Sequence, residues 1–283
     1  MGTTIKVNNT VITVGNTKKA VASKESAIEI YDLEDLSAQA AEAYVLADTM
    51  YKTCESMHMF SSEGVGTNIA NGVKKVLHAI ADFFKKIAAY VTSFITGNAI
   101  MMKAKAIAKR AAAFKANNTP FPDKLLVKAK YTSAGHVEEI INVAKEITAK
   151  VNSDSVEALN NAKFEKLATD LTKAPVEVRL AQWFKSWDDV IAVCTNNQKG
   201  VVGAMVAMKT GKVSENAKKN ATLAIKLAES AGQSDGEAHI EEDVKKLKTK
   251  QKMTNLAVKG YTTAINCALN VAAAACTAAK PAK

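Results

Sequence analysis

Residues 67–96 read TNIANGVKKVLHAIADFFKKIAAYVTSFIT, the clearest helical pattern in the chain. Val73, Val76, Leu77, Ile80, Phe84, Ile87, Val91, Phe94 and Ile95 recur at steps of three and four, with Lys74, His78, Asp82 and Lys85 between them. On a helix of 3.6 residues per turn those steps gather into one wide apolar stripe opposite a polar face. The spacing therefore predicts a helix over the whole segment, ended by Gly97. Such a stripe has to be covered. In a bundle it is the core-facing side, which is the preferred reading because any core helix has this pattern. The competing reading is a membrane surface or a partner protein, met by Phe83, Phe84, Ile87, Val91 and Phe94 with Lys74, Lys75, Lys85 and Lys86 flanking them.

Working outward, an Ala- and Lys-rich helix is expected from about 98 to 117, broken by Asn118-Thr119-Pro120-Phe121-Pro122. Beyond the break, helices are expected at about 134–151, 154–172, 175–197, 201–209, 214–231 and 237–278, the last either continuous or in two pieces meeting near Gly260. Upstream, apolar periodicity from Leu36 to about Phe60 predicts another helix, stopped by Ser61-Ser62-Glu63-Gly64. Residues 15–26 read as a polar linker. Before them, Ile5, Val7, Val11 and Val14 flank Asn8-Asn9 as in a small hairpin or extended arm.

Composition agrees. Hydrophobic residues make up 48% of 283, enough for a substantial core, and only 13 Gly and 4 Pro interrupt a sequence dominated by helix-forming types. The expected fold is all-α, an irregular multi-helix bundle with a short N-terminal arm or hairpin. Three segments follow: 1–63, an acidic arm and helix that is a candidate propeptide; 64–118, a basic amphipathic helical pair; and 119–283, a helical bundle domain. Charge marks the first boundary. Residues 1–63 hold 5 Lys against 9 acids, whereas residues 64–283 hold 33 Lys or Arg against 19 acids.

Searching for chemistry yields little. Cys54, Cys194, Cys267 and Cys276 form no CxxC pair, and reduced, buried thiols are expected in an intracellular or capsid-enclosed protein. The N-terminus has no signal-peptide pattern. Residues 260–279 carry no charge, but they are mostly Ala, Thr and Asn, so a closely packed buried helix is preferred to a membrane span. His58, His78, His136 and His239 have no His or Cys at ligand spacing. Gly64-Val65-Gly66, Gly200-Val201-Val202-Gly203 and Gly211-Lys212 match no phosphate-binding loop and read as helix breaks. The acidic pairs Glu138-Glu139, Asp188-Asp189 and Glu241-Glu242-Asp243 splay about 100° apart on a helix and read as solvated faces. Trp183, Phe184 and Trp187 have helical spacing and apolar neighbours, which favours core packing over a platform for bases. The reading is of a protein that is not an enzyme and needs no cofactor.

Basic charge remains. Lys103, Lys105, Lys109, Arg110 and Lys115 share one helix; Lys245, Lys246, Lys248, Lys250 and Lys252 share another. With only 2 Arg among 38 basic residues, base-specific readout is disfavoured. Lysines still neutralise phosphates, so non-specific DNA is a candidate partner, with Lys103, Lys105, Lys109, Arg110, Lys115, Lys245, Lys246 and Lys248 as candidate contacts.

Ile28-Glu29-Ile30-Tyr31-Asp32-Leu33-Glu34-Asp35-Leu36-Ser37, the helix ending Glu55-Ser56-Met57-His58-Met59-Phe60, and the triplet Ser61-Ser62-Glu63 resemble the internal head proteins of giant tailed bacteriophages. The resemblance covers the first quarter of the chain. It implies an acidic propeptide that targets the protein to the forming capsid, cleavage by a phage protease after a Ser-x-Glu triplet, and packaging of the basic remainder with the genome. Candidate cleavage residues are Ser61, Ser62 and Glu63, with Ser23 and Glu25 of a second triplet; Ser155-Val156-Glu157 falls at the start of an expected helix. Partners would be capsid or other virion proteins, and the location the virion interior, then the host cytoplasm after injection. The alternatives are a membrane-active helical protein, a pore former or effector, and a helical adaptor for another protein.

Overall fold

A computed structural model describes the backbone of residues 4–7, 10–13, 18–57, 67–153, 162–231 and 237–279, and the side chains of 33–57, 71–153, 162–231 and 240–279. Strands β1 (Thr4–Val7) and β2 (Thr10–Thr13) pair antiparallel, Thr4 opposite Thr13 and Val7 opposite Thr10, as a hairpin. Helix α1 (Lys18–Ser56) then begins well before Leu36 and absorbs most of the expected linker. The physical reason is local: after Gly15, the run Lys18 to Ser26 contains neither Gly nor Pro and is rich in good helix formers.

α2 (Thr67–Thr96) and α3 (Asn98–Ala116) follow, separated at Gly97. Then come β3 (Leu126–Ala129), α4 (Ala134–Asn152), α5 (Ala162–Thr172) and β4 (Val176–Arg179). A 3-10 turn at Leu180–Gln182 leads into α6 (Trp187–Thr195), α7 (Gly200–Thr210), α8 (Val213–Ser230) and α9 (Glu237–Ala278). The helix expected over 175–197 is thus a strand, a turn and a shorter helix. Val176 and Val178 alternate with Glu177 and Arg179 and pair antiparallel with β3, burying Val127 against Val178. α6 starts afresh at a capping box, in which the Ser186 hydroxyl accepts from the Asp189 N–H and the Asp189 carboxylate accepts from the Ser186 N–H at 3.1 Å.

α9 is continuous through Gly260 and touches each of α1 to α8, as a spindle would. Gly260 lies where the helix passes close to its neighbours, a Cβ there meeting Ala144 Cβ at 3.4 Å and a Leu167 methyl at 3.5 Å. α2 and α8 form the most extensive pairing. Buried Ala217, Ala221, Ala224 and Ala228 repeat at steps of four and three along α8, and side chains this small let the two helices approach closely. Gly200, at φ +65°, opens α7 with its Cα against Val193, a conformation and a space that exclude a side chain.

One hydrophobic core runs from Leu33 to Cys276 and joins the three segments. α1 supplies Leu33, Ala40, Ala43, Ala47, Tyr51 and Cys54 to it, and Tyr44 meets Phe83 of α2 edge-on at 5.7 Å. The aromatic patch is core: Trp187, tilted against Phe114 and edge-on to Phe121 with both centroids at 5.0 Å, donates from Nε1 to the Thr119 carbonyl at 2.8 Å. That bond pins the break at 117–122 to α6.

Candidate nucleic-acid interface

The lysines expected to meet phosphate do not form one comb. On α3, Lys105 and Lys109 stand one turn apart on the solvent side, and both are exposed. Lys103 turns the other way, half-buried, and donates to Asn270 Oδ1 at 3.0 Å. Arg110 reaches the Cys276 carbonyl at 3.0 Å and lies 6.0 Å from the Phe114 ring, tying α3 to the end of α9. Lys115 is 2.7 Å from Asp188.

On α9 the correction is larger. Lys245 and Lys246 bridge to Glu241 and Glu242 one turn earlier, at 2.5 and 2.6 Å. Lys248 points inward, its side chain only 13% exposed, 2.6 Å from Asp48 of α1 and 5.4 and 5.6 Å from the rings of Tyr44 and Tyr51. Burial pulls its pKa down against the pull of Asp48, and it serves the packing of α1, not a phosphate. Of the eight candidate contacts, Lys105 and Lys109 keep the geometry a backbone contact needs, open to solvent and with no carboxylate at ion-pair distance among the described residues.

The face Phe83, Phe84, Ile87, Val91 and Phe94 is core, every member at most 3% exposed beneath α1 and α8. The reading of this face as a ready membrane or partner surface is corrected: the wide stripe is occupied within the chain. No helix among the described residues is long and apolar enough to cross a membrane. Candidate cleavage residues Ser61, Ser62 and Glu63 lie outside the described residues. Ser23 and Glu25 lie inside α1, where a helix withholds the backbone groups that an extended substrate offers a protease.

At least one member of each acidic cluster has a structural partner. Asp188 takes Lys115, Asp189 caps α6, and Glu241 and Glu242 take Lys245 and Lys246. Glu139 takes Lys166 at 2.8 Å and Glu146 takes Lys163 at 3.3 Å, across a cavity of about 440 Å³ between α4 and α5.

Two arrangements were not legible in the sequence. His136 Nε2 lies 3.3 Å from Asp170, a carboxylate whose side chain is 3% exposed and which also accepts from Lys173 at 2.7 Å. Burial raises the Asp170 pKa, but the hydrogen bonds from Lys173 and His136 outweigh it and hold the carboxyl below the usual carboxylate range. Its partners come from α4 and the end of α5, so no local motif announces the pair. The second is the surrounding of Lys103, whose only faint signal is Asn266 and Asn270 one turn apart in the uncharged last part of α9. Among the described residues, no group of three or more His, Cys, Asp and Glu side chains could hold a metal ion. No family model, curated protein or solved structure matches the chain.

Proposed function

We propose that this chain is a non-enzymatic virion protein of a giant tailed bacteriophage, packaged inside the head with its basic surface toward DNA. The observation that carries the reading is the segregation of charge: 5 Lys against 9 acids before residue 64, and 33 basic against 19 acidic residues after it. A strongly basic product suits phosphate-rich surroundings, and the acidic part keeps the precursor closer to neutral until it is in place. Exposed Lys105 and Lys109 support non-specific attraction to the backbone, and the scarcity of Arg fits contact without sequence reading.

The fold adds a condition. α1 covers α2, shares its core and is tied to α9 through Lys248, so a cut after Glu63 would leave α1 bound until that packing is released. Mass spectrometry of purified particles tests the reading, with the chain expected inside and its N-terminus at Gly64. Intact chain in the particles removes the cleavage; absence from the particles overturns the proposal.

A further inference from the structure

Where α1, α2, α3 and α9 meet, they leave a cavity of about 380 Å³. Leu33, Phe94 and Ile100 give it apolar walls, and Lys103, Asn266 and Asn270 bring polar groups to it from α3 and α9. A space of a few hundred Å³ with apolar walls and a few convergent polar groups is the form that small-molecule sites take.

Lys103 differs from exposed Lys105 and Lys109 in being half-buried, and from the ion-paired lysines in its partner. Lys115, Lys245, Lys246 and Lys248 each have a carboxylate within 2.7 Å. Lys103 has none at ion-pair distance among the described residues, although it is half-buried; its bond to Asn270 uses one of the three donors of an ammonium. Burial pulls its pKa down, so the charged form is held at a cost to the folded state. A cation without its counter-charge beside apolar walls is complementary to an anion with an apolar body. Glu34 lines the same cavity from the exposed side of α1 and repels any anion, a doubly charged one about twice as strongly, which favours a singly charged head over phosphate.

We propose that this cavity binds a small amphiphilic monoanion of the carboxylate class, its head on Lys103 and Asn270 and its apolar body against Leu33, Phe94 and Ile100. The site stands apart from the virion reading, and neither depends on the other.

Isothermal titration of the full chain with decanoate, below its micelle concentration, tests the site. One saturable site is expected, with decanol, the neutral chain of the same length, bound at least about tenfold more weakly, as when one charge-assisted hydrogen bond is lost. Lys103→Met is expected to lose about tenfold in decanoate affinity for the same reason while unfolding in urea no earlier than wild type, because the removed charge was a burden on the fold. Lys109→Met, on the solvent side of the same helix, is expected to bind like wild type. The proposal is overturned by no saturable decanoate binding, by decanol binding equally, by Lys103→Met binding like wild type, or by equal losses in both variants.

Discussion

Lys248 and Asp170 are charges kept from water by their partners, and each gives a measurable consequence. Lys248→Met removes the tie between α9 and α1, but Asp48 is 27% exposed and retains Lys52 at 2.9 Å, so the loss falls short of that for a fully buried pair. A destabilisation of about 1–2 kcal/mol is expected from urea unfolding, against less than about 0.5 for Lys52→Met on the surface. Asp170 has a carboxyl pKa lowered by folding, so its ionised form adds stability above the unfolded value of about 3.9, lost as pH falls through the lower folded value. Wild type should therefore lose more stability between pH 5 and pH 2 than Asp170→Asn, followed by urea midpoints across about that window. Parallel curves would show that Lys173 and His136 do not act on this carboxylate. Glu241–Lys245 and Glu242–Lys246 stand four residues apart, a spacing the sequence reading passed over in giving these lysines to phosphate, whereas Lys115–Asp188 and Lys248–Asp48 join residues that only the fold brings together.

Among the elements, those with a local cause were legible. The apolar stripe of α2 ends at Gly97, α3 stops short of Pro120, and α4, α7, α8 and α9 fall within one residue of the bounds their periodicity predicts. β4 was not, because four residues are too few to separate a period of two from 3.6, and what makes Val176–Arg179 a strand is β3, far upstream. Gly260 left two alternatives open, and the structure takes the continuous one: a residue that usually breaks a helix here sits inside one, in contact with α4 and α5. Since a Cβ at that point meets its neighbours at ordinary contact distance, Gly260→Ala should raise stability by about 0.5–1 kcal/mol through helix propensity, read as a higher unfolding midpoint. Gly260→Leu would wedge α9 away from Ala144 and lower stability by about 1–3 kcal/mol.

For the whole molecule, the net charge of +10 predicts weak, salt-sensitive binding to any duplex, measured by anisotropy of a labelled DNA across a salt series. Replacing both Lys105 and Lys109 by Gln should reduce the slope of log affinity against log salt by about 2, since each phosphate contact contributes about 0.9. An unchanged slope would remove α3 from the interface. The four cysteines carry a different consequence of the same packing. All are buried, with their thiols pushed above the usual range by burial, Cys194 to about 12. A thiol reagent therefore modifies the native chain only as fast as the chain opens, so the protein carries its own clock. Cys54 on α1 reports the lifting of one helix, and Cys194, Cys267 and Cys276 report the unravelling of the centre. If α1 leaves first, one sulfur should react ahead of the other three, separating detachment of the acidic segment from unfolding with no added label in the sequence.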